Sequence, residues 1–400
     1  MLLTPQGPHL TYCSNIHPGE SWLQTRAAVL EHAPAVRDRV APNERFGIGL
    51  RLSNAAVTQL LDGDALPRFR EELEARNLYV FTINGFPYGP FHGTSVKAQV
   101  YRPDWREPER EHYTRRLADA MEGLLPTGLA GSISTVPGCF SARVAEGSDE
   151  AIAEALRRQA ADLWIRARDR GVEIALALEP EPCCALETIA ETIAFFRDHL
   201  LTPESVRRFG ALTQLGAAEA ESTLRRHIGV CLDTCHAAVE FEDPRACVAD
   251  LLAEGIRIPK VQVTTGIRIP DMTAAKAASL RAFADDVYLH QVVARGAAGL
   301  TRYTDLPQAL AAFDEGSAPL QEWRVHFHVP VFMRELGSFE NTQDFVVQAL
   351  REVIRSGATD HLELETYTWD VLPPEHRQQS LTDAIAGELS WVLSATRASG

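Results

Sequence analysis

Short apolar runs alternate with amphipathic stretches along the whole chain, and this alternation constrains the fold more than any other feature. The runs are His9–Asn15, Phe46–Leu52, Leu78–Asn84, Gly131–Val136, Glu173–Leu178, Gly229–Asp233, Lys260–Thr264, Arg324–Val331 and His361–Glu365. Apolar runs separated by helical segments read as βα units whose parallel strands are buried on both faces. Between them, Asp149 to Arg170 sets Ile152, Leu156, Leu163, Trp164 and Ala167 on one face and meets Gly171 as its stop. Asn341 to Ser356 repeats the plan with Phe345, Ala349, Val353 and Gly357. A last helix spans roughly 375–396, with Leu381, Ile385, Leu389 and Val392 in register. Eight strands suffice to close an α/β barrel, so one run is extra. The irregular region 265–322, with Pro270, an Ala-rich stretch, Gly296, Gly299 and Gly316, reads as a large insertion after the seventh strand. Long loops on that face shape pockets or lids. The expectation is one barrel over residues 1–400 with a lid at 265–322.

Several of these strands end in a carboxylate: Leu178-Glu179, Leu232-Asp233 and Leu364-Glu365. A charge at the end of a doubly buried strand is costly unless something compensates it. In a parallel barrel these ends converge on the face where barrel enzymes do their chemistry. Carboxylates packed together raise one another's pKa, and a divalent ion with an imidazole among its ligands removes that penalty. His236 follows Asp233 by three residues, and His326 and His328 alternate on a strand and so share a face. Glu363, two residues before Glu365, faces the same way but deeper. Glu181, between Pro180 and Pro182, reads as a loop charge.

A second feature is the loop Asn84-Gly85-Phe86-Pro87-Tyr88-Gly89-Pro90-Phe91-His92-Gly93, followed by Lys97. Aromatics interleaved with glycine at a barrel mouth suit stacking on a sugar or another flat apolar face, and Lys97 suits a phosphate or carboxylate. Asn84, His92 and Lys97 of this loop are candidate substrate contacts, and His236, His326 and Trp369 are candidates elsewhere in the chain.

Composition narrows the setting. A net charge of −15 opposes non-specific nucleic-acid binding. Seven cysteines without Cys-x-x-Cys spacing suggest no disulfide framework and a reducing compartment. No signal peptide and no apolar stretch of about 20 residues is evident, so a cytoplasmic protein is expected. Phosphate-binding Gly-x-x-x-x-Gly-Lys, Gly-x-Ser-x-Gly and His-Glu-x-x-His motifs are missing.

The segments Ala177-Leu178-Glu179, Leu232-Asp233-Thr234-Cys235-His236, His326-Phe327-His328-Val329 and Leu364-Glu365 resemble those of the xylose-isomerase-like TIM (β/α)8 barrels: sugar isomerases, ketose epimerases and the endonuclease IV group. The resemblance implies one divalent metal ion (Mn, Zn, Co or Mg) on Glu179, Asp233, His328 and Glu365. It also implies that Glu179 and Glu365 exchange the substrate proton and that His236 contacts substrate. Gln262 stands where the epimerases carry their seventh-strand histidine, so either His328 folds back to the metal or the ligand set is altered.

Over nearly its full length the chain also resembles the Ebo-cluster metabolite traffic proteins of the EboE type. Leu10-Thr11-Tyr12-Cys13-Ser14-Asn15-Ile16-His17, Val100-Tyr101-Arg102-Pro103-Asp104-Trp105 and Leu364-Glu365-Thr366-Tyr367-Thr368-Trp369 carry that likeness. It implies a role in making or moving a secondary metabolite alongside partner enzymes of the same cluster. The leading expectation is a metal-dependent sugar or polyol isomerase or epimerase. A metabolite-binding protein on the same barrel is the alternative, and endonuclease IV-like phosphodiester cleavage is a third. A homo-oligomer is left open.

Overall fold

The computed structural model describes residues 1–4, 7–91, 95–369, 372 and 379–397. Strands β1 (His9–Tyr12), β2 (Phe46–Arg51), β3 (Leu78–Asn84), β4 (Gly131–Thr135), β5 (Ile174–Leu178), β6 (Ile228–Asp233) and β7 (Lys260–Val263) come first. Six strands of a second sheet follow: β8 (Thr265–Pro270), β9 (Val292–Gly296), β10 (Gly299–Tyr303), β11 (Glu322–Val329), β12 (Glu335–Leu336) and β13 (Phe339–Asn341). The chain then returns as β14 (His361–Leu364).

The first seven strands and β14 form one parallel sheet in the order β1-β14-β7-β6-β5-β4-β3-β2. Between its two ends, Cys13 bridges Gly49 in parallel and Thr11 Oγ1 donates to the Gly47 carbonyl at 2.7 Å. The sheet is thus a nearly closed barrel. Every residue of β2 through β7 and β14 is buried, as expected of strands covered by helices outside and side chains inside. The helix Ser148–Arg170 ends at Gly171 (φ 68°) and Gln343–Ser356 at Gly357 (φ 63°), where the left-handed backbone favours a residue without Cβ. The last helix covers Leu381–Arg397.

The extra apolar run is the one at Arg324–Val331. Its strand β11 lies in the second, antiparallel sheet (β10-β9-β11-β8-β13-β12), not in the barrel. β11 pairs with β8 from Glu322 to Val325, and the register then shifts before Val329 meets Thr265. Such a bulge re-aims side chains away from the ladder. It frees His326 and His328 to point back over the barrel mouth, while Phe327 stacks on His290 with ring centroids 4.5 Å apart.

All seven cysteines are free and buried. Among the described residues, no helix is long and apolar enough to cross a membrane.

Candidate metal centre

Glu179 follows the last residue of β5, Asp233 is the last of β6, and Glu365 follows β14. The barrel brings these three ends together: one oxygen of each carboxylate lies within 4.8 Å of the others. All three are less than 5% exposed. Asp233 also caps the helix Thr234–Val239. Its Oδ1 accepts from the backbone N–H of Cys235 (2.6 Å) and His236 (3.1 Å), which leaves Oδ2 for the site. Glu365 Oε1 accepts from Asn15 Nδ2 at 2.7 Å and Asn84 Nδ2 at 2.6 Å. Glu179 Oε2 and Asp233 Oδ2 are buried with no hydrogen-bond partner.

Burial, with Asp233 beside it, pushes the Glu179 carboxyl well above its ordinary range. Burial and the neighbouring Glu179 and Asp233 do the same to Glu365. Burial also raises Asp233, although His328 and the two capping N–H groups work against it. Unsatisfied buried oxygens among like charges are what a cation relieves, so this donor set fits a divalent ion.

Three imidazoles sit next to the carboxylates. His236 Nδ1 lies 2.9 Å from the Pro180 carbonyl, His328 Nδ1 2.8 Å from the Glu365 carbonyl and His326 Nδ1 2.7 Å from Gln291 Oε1. A carbonyl oxygen only accepts, so each Nδ1 carries the proton and each Nε2 keeps its lone pair. Burial depresses His236 to about 3 and His328 to about 4, and holds His326 well below the usual histidine range; all three are neutral at pH 7.

The site includes a carboxylate that sequence reading assigns to a loop. Glu181 is 4% exposed and lines the pocket; Tyr101 Oη donates to its Oε1 at 2.7 Å, and burial raises it to about 8. Tyr101 in turn accepts from Gln291 Nε2 at 2.7 Å.

Above this polar floor stands an aromatic roof. Phe91, Tyr288 and Tyr367 pack on one another with centroids 5.1–5.2 Å apart, and Tyr367 covers His328 at 4.6 Å. The roof and the polar floor line one cleft, which Glu179, Glu181, His236, His326, His328 and Glu365 share with Phe91, Tyr288 and Tyr367.

Of the expected substrate contacts, Asn84, His236, His326 and Lys97 line this pocket. Lys97 is already engaged, its Nζ lying 2.8 Å from Asp305 Oδ2. Trp369 is buried but lies away from the pocket lining, and His92 falls outside the described residues. Gln262 pairs in register with Asp233 and Glu363, so it sits within the barrel, while His328 comes from the second sheet and brings a ring nitrogen within 4.8 Å of an Asp233 oxygen. Asn15, Tyr101, Gln291 and Tyr288 escape sequence reading because no local pattern marks them. Glu181 does carry a signal, since prolines on both sides hold it rigidly beside Glu179.

No protein-family model and no curated protein matches the sequence. Solved structures do. A xylose isomerase-like TIM-barrel protein from Mycobacterium smegmatis in complex with magnesium is 12% identical, with 98% of each chain covered and a TM-score of 0.53. The IOLI protein with a bound zinc atom is 12% identical (98% and 99% covered, TM-score 0.48). A probable 3-DHS dehydratase of petrobactin synthesis from Bacillus anthracis is 13% identical (96% and 98% covered, TM-score 0.45). Eight parallel strands in a nearly closed ring and the first of these likenesses give one result: the chain has the xylose isomerase-like TIM-barrel fold.

Proposed function

We propose that the protein is a divalent-metal-dependent isomerase or epimerase of a small sugar-like or polyol substrate. The observation that carries this reading is the convergence of Glu179 and Glu365, from strands with β6 and β7 between them, on the polar floor of one cleft under an aromatic roof. A divalent ion on Glu179, Asp233, His328 and Glu365 would offset their charge and polarise a bound carbonyl or hydroxyl oxygen.

The protein's own groups do the rest. One carboxylate takes a proton from a carbon next to the carbonyl. The other returns a proton to the neighbouring carbon (isomerisation) or to the opposite face of the same carbon (epimerisation). Asn15 and Asn84 aim Glu365 through its Oε1. The roof of Phe91, Tyr288 and Tyr367 offers apolar faces to the substrate's carbon skeleton. The likeness of Leu10–His17 and Leu364–Trp369 to the EboE-type proteins supports a substrate drawn from secondary metabolism.

The test is deuterium wash-in. Wild-type protein loaded with metal and offered a panel of sugars and polyols in D2O incorporates deuterium at one carbon of its substrate. Glu179→Gln and Glu365→Gln each slow incorporation by about 10²-fold or more, the usual worth of a positioned acid or base, and neither lowers the melting temperature of the metal-free protein much. Undiminished incorporation in both variants overturns the reading. A cell-extract metabolite that binds tightly and leaves unchanged supports the metabolite-binding alternative instead.

A further inference from the structure

Carboxylates and neutral imidazoles make up the floor of the cleft, and cations are scarce around it. Among the described residues that line the cleft, Lys97 is the only lysine or arginine. Its Nζ donates to Asp305 Oδ2 at 2.8 Å and to the Asp285 carbonyl at 2.9 Å, which leaves one of its three N–H groups. Arg51, over the Phe91 ring, is spent on Glu20 and on the Gly19 and Gly89 carbonyls. The carboxylate on Lys97 is itself firmly placed. Asp305 caps the nine-residue helix Leu306–Asp314, its Oδ1 accepting from Leu306 N at 2.9 Å and from His290 N at 3.0 Å. A substrate phosphate or carboxylate is commonly met by a lysine and by the positive end of a helix. Here one carboxylate of the chain already takes both.

From this geometry we infer that Asp305 sets the charge of the substrate. Its carboxylate stands where a substrate anion would pair with Lys97, so the cleft admits uncharged polyhydroxy compounds and excludes their phosphate esters and acid forms. The inference rests on the proposed reading only for the polyhydroxy chemistry. The anion that Lys97 suits is the protein's own. The floor points the same way. Glu179, Asp233 and Glu365 together outweigh a divalent ion by one negative charge when ionised, so even the loaded floor repels an anion. The outer nitrogens of His236, His326 and His328 hold their protons on carbonyl oxygens, so the nitrogens left for the cleft accept and do not donate. Acceptors of this kind call for hydroxyl donors, which a phosphate dianion or a carboxylate does not supply. The third N–H of Lys97 can serve a hydroxyl oxygen without adding net charge, because Asp305 cancels the ammonium. Asp305 is thus a specificity-determining residue at the edge of the cleft.

Inorganic phosphate is the first probe, titrated into the protein as purified and followed by phosphorus NMR line broadening. Wild-type protein gives no saturable binding at millimolar phosphate. Asp305→Asn keeps an Oδ1 for Leu306 N and His290 N but frees Lys97. It binds phosphate at least about tenfold more tightly than wild type, the scale of one hydrogen bond to a charged group. Asp305→Ser retains a capping oxygen and gives the same gain, so the test does not depend on one variant folding. Lys97→Met added to either variant abolishes the gain. Saturable wild-type binding that Lys97→Met removes overturns the inference. So does a folded Asp305 variant that binds phosphate no better than wild type. The second probe is the deuterium assay, with each free sugar or polyol offered beside its phosphate ester. An ester is expected to incorporate at least about 10²-fold less than its free compound, because like charges brought together are strongly disfavoured. Faster incorporation from an ester overturns the inference. If no compound of either kind exchanges deuterium, the proposed reaction fails, while the phosphate titration still decides the role of Asp305.

Discussion

Lys260 Nζ lies 2.5 Å from Glu363 Oε2 in the interior of the barrel, and neither side chain is exposed to solvent. Gly49 makes room for this pair: a Cβ there would fall 1.5 Å from Glu363 Oε1 and 3.1 Å from the Tyr12 carbonyl oxygen. Burial works against the lysine's charge, but Glu363 holds its pKa above the ordinary lysine value. The same ammonium lowers the pKa of both Glu179 and Glu365. One buried cation thus supports the carboxylates from beneath, and the pair is a foundation of the site as well as of the barrel.

Removing one member of such a pair is expensive, whereas replacing both is not. Lys260→Met leaves Glu363 buried and unpaired, and its expected cost is about 3–5 kcal/mol. The Lys260→Met, Glu363→Leu double variant recovers most of that loss, because well-packed apolar residues replace a buried ion pair at little net cost. Urea unfolding of the metal-free proteins is the measurement. A Lys260→Met variant as stable as wild type would show that the pair does not hold the barrel interior.

Metal removal has a pH signature whose sign follows from the raised carboxyl values. An acid whose folded-state pKa exceeds its unfolded value destabilises progressively as pH rises from the unfolded value through the folded one. For Glu181 that window runs from 4.5 to about 8. Glu179 and Glu365 shift in the same direction. Chelated protein is therefore expected to lose stability between pH 5 and pH 8. A bound cation keeps the carboxylates ionised without that loss, so the melting-temperature gap between loaded and chelated protein widens as pH rises. Thermal scans at pH 5, 6.5 and 8 decide it; a gap constant across the series would contradict the account.

The barrel is legible in the sequence because doubly buried strands leave apolar runs that stop at polar ends. The second sheet is less legible. β8 begins one residue after β7, so no turn signal separates them, and β10 is mostly exposed, so no apolar pattern marks it. β11 reads as a barrel strand because Val325, Phe327 and Val329 alternate; a strand's own pattern does not name its neighbours. Glu179, Asp233 and Glu365 stand out because each ends an apolar run. Glu181 does not, because its burial is made by Tyr101 and Gln291, 80 and 110 residues away in the chain.

The pocket roof is tied down at one edge. Val96 N and Lys97 N both donate to the Val287 carbonyl, at 2.9 and 3.1 Å, while Lys97 Nζ reaches Asp305 and, at 2.9 Å, the Asp285 carbonyl. The ion pair is partly exposed, so Lys97→Met is expected to cost less than about 1 kcal/mol of global stability. Its larger effect is local: amide exchange at Tyr288 and Leu289 quickens severalfold while β3 and β5 stay protected. Exchange unchanged at Tyr288 would mean that Lys97 does not latch the roof.

Glu388, on the last helix, gives a pH test away from the metal centre. Its Oε1 accepts from Thr366 Oγ1 at 2.7 Å and from Val331 N at 3.1 Å, and so ties the end of β14 and the exit of β11 to that helix. Burial raises its carboxyl from 4.5 to about 7. The raised value means that stability is lost as pH climbs from 4.5 through 7, by about 3 kcal/mol in order of magnitude. Glutamine keeps the Oε1 acceptor for both donors and has no charge to bury. Glu388→Gln is therefore expected to be more stable than wild type at pH 8 and to lose its advantage toward pH 4.5. The check is denaturant unfolding of both proteins across that range. Parallel stability curves would mean that the Glu388 carboxyl titrates in the folded protein as it does in the unfolded chain, and that its burial carries no electrostatic cost.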